Sequence, residues 1–122
     1  MIDNSNVMDK TFDIDSDGYR KLARVRDIPH GTMKRVLLDR EEWEVAIANV
    51  GGKFYAFRDV CPHQAFPLTI GKLKGCKVIC TAHHWEFDIE SGKATCPPVR
   101  KSLETYPVRI IGNDVWVKVR IW

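Results

Sequence analysis

The chain has no apolar run approaching the ~18 residues of a membrane-spanning helix, so no membrane partner is expected. It also lacks any block or stripe of lysine and arginine. A formal charge of only +3 on 122 residues offers nucleic acid little to hold, so no nucleic-acid partner is expected either. The opening segment MIDNSNVMDKTFDIDSDG has no apolar stretch of the kind a secretory signal carries, which predicts a cytoplasmic protein. Within it, DIDSDG resembles the start of a calcium loop. Such a loop needs a bidentate glutamate at its twelfth position, and counting from Asp13 that position is Arg24. The calcium reading fails, and residues 1–18 are expected to be a flexible, solvated N-terminal extension. No helical apolar period is sustained anywhere, and no internal repeat is evident.

What is present is ordinary in bulk and specific in pattern. Hydrophobic residues at 44% and charged residues at 29% suit one soluble domain with a single core. From Tyr19 onward the signals are those of short strands: YRKLARV, MKRVLL, EWEVAIANV and KFYAFRDV. Val45, Ile47 and Asn49 share one face, and Ala46, Ala48 and Val50 the other. Gly51-Gly52 is a two-residue hairpin signal, and PVRIIG with DVWVKVRIW forms a second hairpin around Gly112-Asn113. An all-β fold follows, an antiparallel sandwich base. Residues 59–97 differ in texture. They hold all four cysteines and three of the four histidines, and Gly71, Gly75 and Gly92 punctuate them. They are expected to form a loop-rich insertion that carries the chemistry.

The insertion contains Cys61-Pro62-His63, then 16 residues, then Cys80-Thr81-Ala82-His83. Two thiolates and two imidazoles make a four-ligand set. Zinc could take all four tetrahedrally as a structural site. A 2Fe-2S cluster could take the cysteines on one iron and the histidines on the other. A zinc finger keeps its cysteines together and its histidines together, whereas here each pair mixes one of each. That favours the binuclear cluster.

The sequence resembles a Rieske-type 2Fe-2S ferredoxin, of the kind that serves multicomponent aromatic-ring dioxygenases and toluene-monooxygenase-type systems. The resemblance runs from about residue 19 to 122 and rests on DIPHG, GGKFYAFRDVCPHQ, the glycine of TIGKLKG, VICTAHHWEFDIESGKATCPP and LETYPVRIIGNDVWV. It implies a Rieske domain over 19–122, with its cluster-binding subdomain at about 59–97. It implies Cys61 and Cys80 on the inner iron and His63 and His83 on the outer one. It also implies a one-electron carrier, not catalytic alone, between a flavoprotein NAD(P)H reductase and a terminal oxygenase acting on an aromatic or hydrophobic substrate. Two alternatives stay open at this point: a small Rieske-like subunit of a nitrite reductase, and a zinc-stabilised binding module.

Departures from the family's respiratory members are informative. Those carry a disulfide between the two loops at positions that are Phe66 and Ala82 here, so no such clip is expected. They also place serine and tyrosine hydroxyls where this chain has Trp85 and Phe87. Losing those donors is expected to set the potential toward the low end of the Rieske range, about −150 mV. His84 stands where many relatives have glycine and is expected to be a solvent-exposed loop residue. Cys76 and Cys96 are expected to be thiols, and Pro97-Pro98 resembles the family's proline loop over the cluster. His30 is expected to be a solvated turn residue, and Trp43, Trp116 and Trp122 to pack in the core or along its edges.

Overall fold

Strand-forming residues between glycine- and proline-rich turns build, in the computed structural model, an antiparallel β architecture. The structure describes residues 13–38, 43–62, 66–80, 85–95 and 102–119. Among them are ten strands: β1 Arg20–Arg24, β2 Met33–Leu38, β3 Trp43–Val50, β4 Lys53–Arg58, β5 Lys72–Lys74, β6 Lys77–Cys80, β7 Trp85–Asp88, β8 Thr105–Tyr106, β9 Val108–Ile111 and β10 Asp114–Val117. They pair as three sheets, ordered β1-β10-β9, β2-β3-β4-β8 and β5-β6-β7. Short 3-10 turns occupy Val25–Asp27 and Leu68–Ile70. Among the described residues no helix is long and apolar enough to cross a membrane.

Both expected hairpins form. Val50 pairs with Lys53 across Gly51 and Gly52, whose φ values of 64° and 93° are the left-handed pair that a type I′ turn requires. The turn is also tied from outside. Asn49 accepts from the Gly52 N–H at 2.8 Å and donates to the Ile28 carbonyl at 2.7 Å, which satisfies an otherwise costly buried amide. His30 is exposed but not idle, since its Nδ1 accepts from the Gly51 N–H at 2.7 Å. Ile111 pairs with Asp114 across the second turn.

The first two sheets face one another over one core. Leu22 from β1, Val36 and Leu38 from β2, Val45 and Ile47 from β3, Ala56 from β4, Tyr106 from β8 and Val115 and Val117 from β10 close it. This is the sandwich base. Strand alternation then sends Ala46 and Ala48 of β3 and Phe57 of β4 to the opposite face. There they meet Leu68, Val78, Phe87, Ile89 and Leu103 of the insertion, together with Cys61 and Cys80. The middle sheet is thus covered on both faces. Alanine at 46 and 48 keeps that wall thin, so the insertion packs close to it.

Residues 13–18, from the stretch expected to be an extension, form a hydrogen-bonded turn. Asp15 Oδ1 accepts from the N–H groups of Asp17 and Tyr19, each at 2.9 Å. Arg109 of β9 reaches Asp15 at 3.2 Å and Asp17 at 3.4 Å, and its guanidinium lies 3.9 Å from the Tyr19 ring centroid. Exposed pairs of this kind each contribute under about 1 kcal/mol.

Candidate metal centre

The insertion leaves the base after β4 and returns at β8, and its own sheet, β5-β6-β7, sits between. Cys61 opens the first loop three residues past β4, and its N–H donates to the Phe66 carbonyl at 2.8 Å, which closes that loop. Cys80 ends β6 and pairs with Trp85, the first residue of β7. Both cysteines are almost wholly buried, at 2% and 3% exposure, in the same apolar cluster. Cys61, Cys76 and Cys80 are all thiols, with no disulfide among them.

Two contacts position the first loop, one against the strand ending in Cys80 and one across its own flanks. At Gly71, just past the Leu68–Ile70 turn, a Cβ would stand 2.1 Å from the Ile79 carbonyl oxygen. Only a residue without a side chain lets that turn lie so close to the strand ending in Cys80. The second contact is Asp59, wholly buried two residues before Cys61. Its Oδ2 accepts from Arg35 Nη1 at 2.7 Å and Thr69 Oγ1 at 2.6 Å, and its Oδ1 from the Thr69 N–H at 2.8 Å. The sequence reading did not single out Asp59. A carboxylate set between the apolar stretch FYAF and Val60-Cys61 was the available signal.

The surroundings are dry on the inner side. Phe87 is fully buried beside the cysteines, and Trp85 and Cys76 pack against the same cluster while partly exposed. Cys76 Sγ donates to the Tyr55 hydroxyl at 3.9 Å, and burial together with that thiol pushes the Tyr55 phenol above its ordinary range. At the far end of β7, Asp88 Oδ1 accepts from the N–H groups of Glu90 and Ser91 at 2.8 and 2.9 Å. Chiefly the Ser91 amide holds the Asp88 carboxyl below its ordinary value. On the outer side, Phe66 and Ile70 are exposed at 44% and 65%.

Of the four expected ligands, Cys61 and Cys80 are placed by the structure and brought into one cluster. His63 and His83 lie outside the described residues, as do Gln64, Ala82, His84, Cys96, Pro97 and Pro98. The described half of the donor set is two thiols on two loops, walled on the inside by apolar side chains. Such donors suit iron–sulfur chemistry or zinc, and among the described residues these two cysteines are the part of the expected ligand set that the fold brings together.

Comparison with known proteins narrows the class. The family model of the Rieske [2Fe-2S] domain matches residues 18–107. A ferredoxin component of naphthalene 1,2-dioxygenase/salicylate 5-hydroxylase systems from Ralstonia sp. is 37% identical over 97 residues, covering 80% of this chain and 91% of the relative. A biphenyl dioxygenase ferredoxin subunit from Pseudomonas sp. (strain KKS102) is 38% identical over 100 residues, covering 81% and 90%. In fold, the chain is similar to the ferredoxin of carbazole 1,9a-dioxygenase from Nocardioides aromaticivorans IC177, with a TM-score of 0.77 at 22% identity, over 84% of this chain and 98% of that one. The chain belongs to the Rieske [2Fe-2S] domain family. The cofactor is therefore a Rieske-type 2Fe-2S cluster, which the paired buried thiols fit and which sets aside the zinc module.

Proposed function

We propose that this chain is the ferredoxin of a multicomponent oxygenase, receiving electrons singly from a flavin-dependent NAD(P)H reductase. It passes them to a terminal oxygenase that acts on an aromatic or hydrophobic substrate. Cys61, His63, Cys80 and His83 are the proposed ligands. The observation that carries the reading is the burial of Cys61 and Cys80 at the ends of two loops in one apolar cluster. The relatives named above, ferredoxin components matched over most of both chains, support it. Their names favour an oxygenase partner over the nitrite reductase alternative.

The bound cluster supplies one-electron redox chemistry. The chain's own residues supply the setting. Phe57, Val78 and Phe87 exclude water from the cysteine side, so charge placed there is poorly solvated. Phe87 brings no hydroxyl, which supports a potential low in the Rieske range and electron supply from NAD(P)H rather than quinol. The exposed Phe66 and Ile70 leave an apolar margin beside the first loop.

EPR of the dithionite-reduced protein, purified anaerobically, tests this. A rhombic signal with average g clearly below that of all-cysteine 2Fe-2S clusters is expected. It should vanish in H63A and H83A and persist in H84A. A colourless, zinc-loaded preparation would overturn the reading, and so would loss of the signal in H84A with retention in H83A.

A further inference from the structure

Asp59 is a fully buried carboxylate in a protein whose other described acidic groups are all at least partly exposed. A buried carboxylate is expensive unless it is paired and hydrogen-bonded. Here Arg35 provides the opposite charge at 2.7 Å, and Thr69 provides a backbone and a hydroxyl donor at 2.8 and 2.6 Å. The Asp59 N–H is also used, donating to the Glu44 carbonyl at 3.0 Å.

The placement of these groups is more telling than their number. Asp59 lies two residues before Cys61, and Thr69 lies beyond the Cys61–Phe66 loop. Their hydrogen bonds therefore join both flanks of that loop. Arg35 comes from β2, an edge strand of the base, and fixes the joined flanks to the scaffold. Electrostatics adds a second consequence. An uncompensated carboxylate this close to a cluster ligand would oppose the arrival of an electron, and an uncompensated guanidinium would assist it. The 2.7 Å pair holds the sum at zero.

We propose that Arg35, Asp59 and Thr69 form a charge-balanced clasp that positions the first ligand loop and helps set the reduction potential of the centre. The proposal rests on the ligand assignment above. All three are positioning residues, acting through the Cys61 loop. Arg35 is the practical handle, because its side chain is 34% exposed and its replacement opens little of the core.

Redox titration of the full-length, cluster-loaded protein at fixed pH and ionic strength provides the test. R35Q should shift the potential negative and D59N should shift it positive. R35K should stay at the wild-type value, and the double variant R35Q/D59N should return toward it. T69V, which changes no charge, should lose its visible absorbance several-fold faster in the presence of an iron chelator. Shifts of the same sign in R35Q and D59N, or no shift in either, overturn the clasp, because a merely structural role does not order the potentials by charge. If D59N fails to load a cluster, R35Q against R35K still decides. A wild-type protein without the mixed-ligand EPR signal overturns the ligand assignment and the clasp together. A normal wild-type signal with unshifted variants overturns the clasp alone.

Discussion

Replacing Gly71 with alanine isolates the contact that brings the first loop against the strand bearing Cys80. The glycine has φ of −86°, a value open to any residue, so left-handed strain plays no part in the effect. What opposes the substitution is space. The new Cβ would sit 2.1 Å from the Ile79 carbonyl oxygen and 3.2 Å from that of Leu68. Relief requires the Leu68–Ile70 turn and β6 to part by about 1 Å or more, since non-bonded heavy atoms settle near 3.5 Å. Both obstructing atoms are backbone, so no side chain can rotate away.

Two terms compete in that substitution. Alanine reduces the freedom of the unfolded chain, which stabilises by about 0.4–1 kcal/mol. Overpacking against a fixed backbone costs about 1–3 kcal/mol, and the upper part of that range applies at so short a distance. Overpacking wins, leaving a net loss of about 1–2 kcal/mol. Ile79 directly precedes Cys80, so the displacement also reaches a proposed ligand. Urea unfolding of G71A should show a lowered midpoint with an unchanged slope, and the ratio of visible to protein absorbance should fall. An unaltered midpoint together with full cluster content would refute the close approach as the reason for glycine.

Four further outcomes follow from particular contacts. Removing the Phe87 ring by F87A leaves a cavity beside both cysteines and should cost about 3–5 kcal/mol, read from denaturant midpoints. F87Y should instead raise the reduction potential by adding a hydroxyl at that position, and a lowered potential would contradict the stated reason for a low one. Burial pushes the Tyr106 phenol up to about 12, against the opposing hydrogen bond from Trp43, so the unfolded chain ionises first as pH rises above its ordinary value of 10.0. Stability is then intact below pH 10.0, falls through 12 by at most about 3 kcal/mol, and falls less in Y106F, as midpoints at pH 9 and pH 11.5 would show. A46L should destabilise by about 1–3 kcal/mol, because the wall between base and insertion has no room for added methylenes; thermal melts check this.

Local signals carried the hairpins and the ligand cysteines into view. Gly51-Gly52 and Gly112-Asn113 lie between alternating strands, and each turn is decided by residues in immediate sequence contact. The Cys61 and Cys80 boxes were legible for the same reason, since paired donors at short spacing are a local pattern. The clasp was not. Asp59 meets Arg35 across 24 residues and Thr69 across 10, and no propensity marks a pairing at that range. The alternation in β3 showed that it has two faces, but alanine at 46 and 48 does not say that the second face is covered. The sheet of the insertion was equally hidden, because β5 has only three residues and its lysines at 72 and 74 give no apolar period.

The shared wall has a consequence for how the site and the scaffold depend on one another. Ala46, Ala48 and Phe57 belong to the strands that form the sandwich base, yet their side chains line the cluster that buries Cys61 and Cys80. Separating the insertion from the base would expose Phe57, Phe87, Leu68 and Val78 together, and each such side chain loses about 1.5–3 kcal/mol on return to water. That sum is comparable with the whole stability of a domain this size. The insertion therefore has no independent melting step in this architecture; it comes apart with the middle sheet. A thiol pair held this way keeps its setting as long as the base stays folded, because rearranging the inner side would mean unfolding the middle sheet.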